Sequence, residues 1–199
     1  MITLEEFKDD LKNQSLDSIN IVQKYLMTGY PYIFLDKSGI YSDLKCDIIS
    51  YFGAVDYKNV LMVGSCLLGF SIAPKKEFLA IDFNRDSDID MVIIDTDLFN
   101  RYWNKLSDFD IKKAVYTEQE QMNYYSFLRY FFDGWIRPDL LPNCYTGKKE
   151  WFDFFRSISY SKYDKRKVTG AIFHSEYFFI KYHVRNINRL REVLKNGKC

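Results

Sequence analysis

Two short stretches decide the reading of this chain: Val60-Leu61-Met62-Val63-Gly64-Ser65, and Ser87-Asp88-Ile89-Asp90-Met91-Val92-Ile93-Ile94. The first is an apolar run closed by glycine, the pattern of a buried strand that must turn sharply at its end. The second is an apolar strand that carries two acids at its start. Side chains alternate along a strand with a period of two, so Asp88 and Asp90 emerge on one face. Two neighbouring carboxylates on an otherwise apolar strand repel each other. A divalent cation relieves that repulsion, and Mg²⁺ is the hard ion usually held by carboxylates together with substrate phosphates. Gly64 lets a phosphate approach the backbone, while the Ser65 hydroxyl and the N–H groups that follow can hold its oxygens.

Working outward, Cys66-Leu67-Leu68-Gly69-Phe70 reads as a short helix and residues 74–86 as a polar loop. Upstream, three helices are expected. Thr3 and Glu6 form a capping box ahead of Leu4, Phe7 and Leu11. A second helix over 17–27 shows Ile19, Val22 and Leu26. A third over 40–52 repeats Ile40, Leu44, Ile48 and Phe52 and ends at Gly53. Downstream, a helix over 97–106 presents Leu98, Phe99, Tyr102 and Leu106. An aromatic-rich helix over 118–135 is broken by Arg137-Pro138-Asp139, a rigid turn with a local ion pair. A helix over 151–158, a strand over 168–173, and a final helix capped by Ser175 follow. The last helix carries Ile180, Val184, Ile187, Leu190 and Leu194. The expected architecture is α/β (α+β): a small mixed, mostly antiparallel sheet flanked by helices, with helical N- and C-terminal segments. It forms a single domain in which residues 1–56 are the helical N-terminal segment. Residues 57–115 are the core motif, and 116–199 hold a helical segment, the third strand and the final helix.

The chain has 199 residues, enough for a core that needs no disulfide or structural metal. Its four cysteines are dispersed and form no CxxC pair, which excludes a zinc ribbon or a disulfide framework. No apolar run approaches the ~18 residues of a membrane span. The acidic start Met1-Ile2-Thr3-Leu4-Glu5-Glu6 lacks a signal-peptide pattern. A cytoplasmic protein with reduced thiols and no membrane partner is expected. The net charge of +1 hides an asymmetry: residues 1–147 hold 15 basic and 22 acidic side chains, residues 148–199 hold 13 and 5. A basic final quarter either contacts phosphate or an acidic partner, or folds back on the acidic part. Aromatics at 18% fill a core or form a sticky surface for a partner in a homo- or hetero-oligomer.

Met62-Val63-Gly64-Ser65 followed by Ser87-Asp88-Ile89-Asp90-Met91-Val92-Ile93 resembles the signature of the polymerase-β-like nucleotidyltransferase superfamily, small bacterial members in particular. The matching segment runs from about Asn59 to Asp95. The resemblance implies that Gly64 and Ser65 bind the triphosphate of ATP or another NTP. It implies that Asp88 and Asp90 are the catalytic ligands of Mg²⁺, with Mn²⁺ as the alternative ion. The implied reaction transfers a nucleoside monophosphate to a hydroxyl of a protein, a tRNA or another RNA, or a small molecule. Solitary members of this kind resemble toxin–antitoxin or phage-defence components. Two departures stand out. The Ser65-to-Asp88 spacing is long, with 73–86 looking inserted. The strand over 168–173 also lacks the third carboxylate that active members usually carry; Glu176 and Asp164 are the acids nearest to it. Two rivals follow: a nucleotide sensor of the same fold, and an interaction module using the basic Lys181, Arg185 and Arg189 of the last helix. Lys165-Arg166-Lys167 is either a triphosphate clamp or a solvated turn. Lys75 and Lys76 are loop lysines within reach of phosphate. His174 and His183 lack metal-ligand spacing.

Overall fold

A computed structural model describes residues 3–53, 55–74, 76–80, 87–109, 117–160, 162–163 and 165–196. Its centre is a four-stranded sheet of order β1-β2-β4-β3. Strand β1 (Val60–Val63) pairs antiparallel with β2 (Ile89–Ile94), β2 pairs parallel with β4 (Val168–Phe173), and β3 (Trp135–Ile136) pairs antiparallel with β4. The sheet is mixed and flanked by helices, an α/β architecture. The central strand β2 is buried at every position but Asp90 and reads as a near-continuous apolar run, whereas β4 is half-buried over Thr169, Gly170 and Ala171.

The N-terminal helices form as their caps dictate. In α1 (Leu4–Lys12) the Thr3 hydroxyl accepts from Glu6 N at 3.1 Å, and the Glu6 carboxylate accepts from Thr3 N at 2.9 Å, so Phe7 and Leu11 turn inward. Helix α2 (Ser18–Val22) widens into a π-turn over Gln23–Met27. Ile21, Val22, Tyr25 and Leu26 form the buried stripe, while Ile19, expected on it, is exposed. Helix α3 (Ser38–Phe52) lies along the free edge of β1, where the Tyr41 hydroxyl accepts from Met62 N at 3.1 Å and so protects an otherwise unpaired strand edge.

Helix α4 is a single turn (Ser65–Leu68). Helix α5 (Thr96–Ser107) is capped by Asp95, whose carboxylate accepts from Leu98 N at 2.7 Å. Helix α6 (Glu118–Phe132) stops three residues short of the expected end. Gly134 takes φ +70°, and a Cβ there would sit 2.3 Å from the Phe178 ring. The chain therefore turns, and Trp135 enters a short edge strand stacked on Phe173 at 5.2 Å between ring centroids. This fourth strand was not expected; two residues are too few to show a period.

Helix α7 (Thr146–Ile158) drives Trp151, Phe154, Phe155 and Ile158 into the core. Gly170 of β4 makes room for it, since a Cβ there would lie 2.1 Å from Phe155 Cζ. The final helix α8 (Glu176–Lys195) buries Phe179, His183, Ile187 and Leu190. Ile180, Val184 and Leu194 are only partly buried, so the buried face is rotated from the expected one. Ser175 occupies the N-cap position without a side-chain cap bond. Ser18 of α2 donates to Asn188 of α8 at 2.7 Å, tying the two chain ends together. The aromatics are largely core, but several stay exposed, among them Tyr125 and Phe132 on α6 and Trp103, Tyr160 and Tyr177 elsewhere. Among the described residues no helix is long and apolar enough to cross a membrane.

Candidate functional site

Strand direction gathers the candidate residues. β1 runs antiparallel to β2 and β2 runs parallel to β4, so the end of β1 meets the beginnings of the other two. At that end Gly64 takes φ +76°, ψ −159°, a conformation essentially restricted to glycine. A Cβ on it would lie 3.0 Å from Asp90 Oδ2, so the backbone of the turn passes directly against the carboxylate. Val63 is the register partner of Asp90 across the β1–β2 pair. Ser65 opens α4 beside this turn. The next residue, buried Cys66, donates its thiol to Asp88 O at 3.1 Å and ties α4 to the carboxylate strand. Gly64, Ser65, Asp88 and Asp90 therefore share one end of the sheet.

The structure adds residues that the motif did not identify. Lys167 Nζ donates to Asp88 Oδ2 at 2.8 Å, and Thr169 Oγ1 donates to Asp90 Oδ1 at 2.6 Å. Both come from β4, and Asp90 and Thr169 are direct register partners. Within Lys165-Arg166-Lys167 the two lysines are exposed, but Arg166 is 2% exposed and donates to Ser87 O at 3.1 Å. A period of two puts Lys167 and Thr169 on one face, as it does Asp88 and Asp90, but only the pairing of β4 with β2 brings the two pairs together.

Beside Asp90 on the paired strand, Thr169 places a hydroxyl and not an acid. Glu176 follows the far end of β4, about 17 Å from the carboxylate end at ~3.3 Å per residue. Asp164 lies outside the described residues. Asp139 is held by Arg137, with Nη2 to Oδ2 at 2.6 Å and Nε to Oδ1 at 3.2 Å, the expected local pair. Among the described residues no group of three or more His, Cys, Asp or Glu side chains is placed to hold a metal.

The electrostatics are those of a crowded acidic pair. Burial raises the Asp90 carboxyl above its ordinary value, the Thr169 hydrogen bond opposes the rise, and Asp88 adds to it. The bond to Asp88 raises the Lys167 ammonium. One oxygen of each aspartate is engaged by β4. The remaining oxygens, Asp88 Oδ1 and Asp90 Oδ2, are hard donors suited to a Mg²⁺ or Mn²⁺ ion that keeps several waters and takes phosphate oxygens for the rest of its shell. A carboxylate raised by burial and a like charge is one that a cation stabilises, so these residues fit a divalent ion, as a two-carboxylate site.

Several of the other candidates are held in structural contacts. Arg185 donates to Asp133 at 2.7 and 2.9 Å, and Arg189 binds the Glu77 carboxylate and Ile72 O. The basic final helix thus folds back onto acids of this chain. His183 is buried among Phe173, Phe179 and Tyr182. His174 donates its backbone N–H to Gly134 O and sets its ring edge against Phe99 and Phe178. Lys76 is exposed, and Lys75 lies outside the described residues. Two clefts avoid the carboxylates. One of about 250 Å³ lies between Tyr30, Tyr32, Leu35 and the far end of α4. The other, about 370 Å³, lies at the opposite end of the sheet against Asp95, Asp97, His174 and Glu176.

No protein-family profile, no curated protein and no solved structure matches this chain.

Proposed function

We propose that the junction of β1, β2 and β4 binds a divalent cation with a nucleoside triphosphate and transfers a nucleoside monophosphate to a hydroxyl acceptor. The observation that carries this reading is the contact of the Gly64 turn with Asp90. It puts a backbone able to take phosphate beside two carboxylates able to take the cation. The local resemblance to the nucleotidyltransferase signature and the mixed sheet support it. In this reading Asp88 and Asp90 hold the cation, and Gly64 and Ser65 orient the triphosphate. A bound Mg²⁺ supplies neutralisation of charge on the transferring phosphoryl group. The rest is positioning: rigid strand ends fix where the carboxylates and the phosphate-binding turn stand relative to each other. The acceptor is a hydroxyl of a protein, an RNA or a small molecule.

Thr169 favours a second reading. With a hydroxyl where a third carboxylate would stand, the site carries less negative charge for metal binding and offers no extra base for the acceptor hydroxyl. A chain of this kind would bind nucleotide as a sensor or adaptor and transfer little. Radiolabel transfer from each NTP in Mg²⁺ and in Mn²⁺, compared between wild type and Asp88→Ala/Asp90→Ala, separates the two. Transfer that the double variant abolishes supports the enzyme. Saturable nucleotide binding without transfer supports the sensor, and neither signal sinks both.

A further inference from the structure

We infer that Lys167 is a built-in counter-ion, holding Asp88 while the site is empty and passing to the triphosphate when cation and nucleotide enter. The inference rests on the nucleotide reading proposed above. It is carried by the way β4 answers β2. Parallel pairing of Ile89 with Val168 and Asp90 with Thr169 sets a Lys-x-Thr against the Asp-x-Asp. Each carboxylate is met by one β4 side chain, at 2.8 Å for Lys167 and 2.6 Å for Thr169. The two partners differ in kind. Thr169 is short, neutral and half-buried, and it stays with Asp90 whatever enters.

Lys167 is anchored at its root and loose at its tip. Its carbonyl accepts from Ile89 N at 2.8 Å, and the preceding Arg166 is locked to Ser87 O, while the lysine side chain remains half exposed on a flexible four-carbon stem. A divalent ion on Asp88 would face an ammonium on the same carboxylate, and like charges at such a distance repel. The nearest new acceptors are the phosphate oxygens that arrive with the ion. The stem can swing the ammonium onto them without moving the strand. Lys167 is thus a positioning residue for the carboxylates and a ligand for phosphate, in sequence.

The test uses Mn²⁺ alone, followed as free ion by electron paramagnetic resonance, and inorganic tripolyphosphate in the presence of Mn²⁺, followed by calorimetry. Wild type, Lys167→Met, Lys167→Arg and Asp88→Asn are compared. Removing the resident cation should tighten Mn²⁺ alone by roughly three- to tenfold, the size expected of an exposed ion pair and a nearby like charge. The same substitution should weaken tripolyphosphate by a similar factor. Lys167→Arg should keep both near wild type. Opposite signs for the two probes are what a merely structural lysine would not produce. Should Lys167→Met move both probes the same way, or neither, while Asp88→Asn still abolishes Mn²⁺ binding, the counter-ion inference falls and the metal site stands. If wild type and Lys167→Met both fail to take up Mn²⁺ and tripolyphosphate, the nucleotide reading itself fails, and the lysine inference with it.

Discussion

Replacing Gly64 by alanine tests the geometry on which the site depends. Two costs add. The backbone at φ +76°, ψ −159° is a region that residues with a Cβ enter only with strain of about 1–3 kcal/mol. The new methyl also meets Asp90 Oδ2 at 3.0 Å, and that carboxylate is tethered by Thr169 at 2.6 Å. Pushing it aside twists a rotamer, at about 0.5–1.5 kcal/mol, and strains a charge-assisted hydrogen bond. Gly53 supplies the control. It also has positive φ, +66° with ψ 149°, but nothing lies within 4 Å of a Cβ placed there. Urea unfolding should show Gly64→Ala less stable than Gly53→Ala by about 1–2 kcal/mol, the part due to Asp90. In an Asp90→Ala background the two glycine substitutions should cost the same, which a double-mutant cycle measures directly. Equal costs in the wild-type background, or an excess that survives Asp90→Ala, would refute the close approach of the turn to the carboxylate.

Installing a third acid by Thr169→Asp should strengthen Mn²⁺ binding at least about tenfold, because three hard ligands would then face one ion; a titration showing unchanged affinity would place Thr169 outside the coordination sphere. Burial lowers His183 to about 3 from an ordinary 6.5. The unfolded chain therefore binds a proton that the native state refuses, and stability should be level above pH ~6.5 and fall toward pH 3 by up to about 1.4 kcal/mol per pH unit. His183→Phe should flatten that slope in chemical denaturation run across the pH range, and an unchanged slope would assign it to other groups. Gly170→Ala drives a methyl into the Phe155 ring and should cost about 1–3 kcal/mol, with partial recovery in Gly170→Ala/Phe155→Leu by the same assay. Arg189→Glu sets a carboxylate against Glu77 and should lower the melting temperature; a variant of full stability that loses nucleic-acid binding would restore the interaction-module reading.

Much of the fold was legible because its signals are local. The Thr3–Glu6 box, the Gly53 stop, the apolar runs of β1, β2 and β4, and the Asp88/Asp90 alternation each need only a few neighbouring residues to read. What escaped depends on partners far away in sequence. Trp135 looks like the end of an aromatic helix until Phe178 forbids a side chain at residue 134. The inward face of α8 is set by packing on α2 and the sheet, which brings His183 in and leaves Val184 only partly buried. Of the site, Gly64, Ser65, Asp88 and Asp90 could be picked out together because one motif contains them. Lys167 and Thr169 could not, since their role exists only once β4 has been laid beside β2. The burial of Arg166 could not be seen in the basic triplet, because the acceptor that holds its guanidinium, Ser87 O, lies 79 residues earlier.

That same interval has a consequence during synthesis. The lysine and threonine that steady Asp88 and Asp90 leave the ribosome 79 residues after them. At the usual 5–20 residues per second this is a delay of about 4–16 s. For that time the acidic strand has no neighbour on its β4 side, and the parallel pairing that completes it is of the slow, non-local kind. An unfinished chain would carry its paired acids without the basic tail that offsets them, so the site comes into being last, together with the finished sheet.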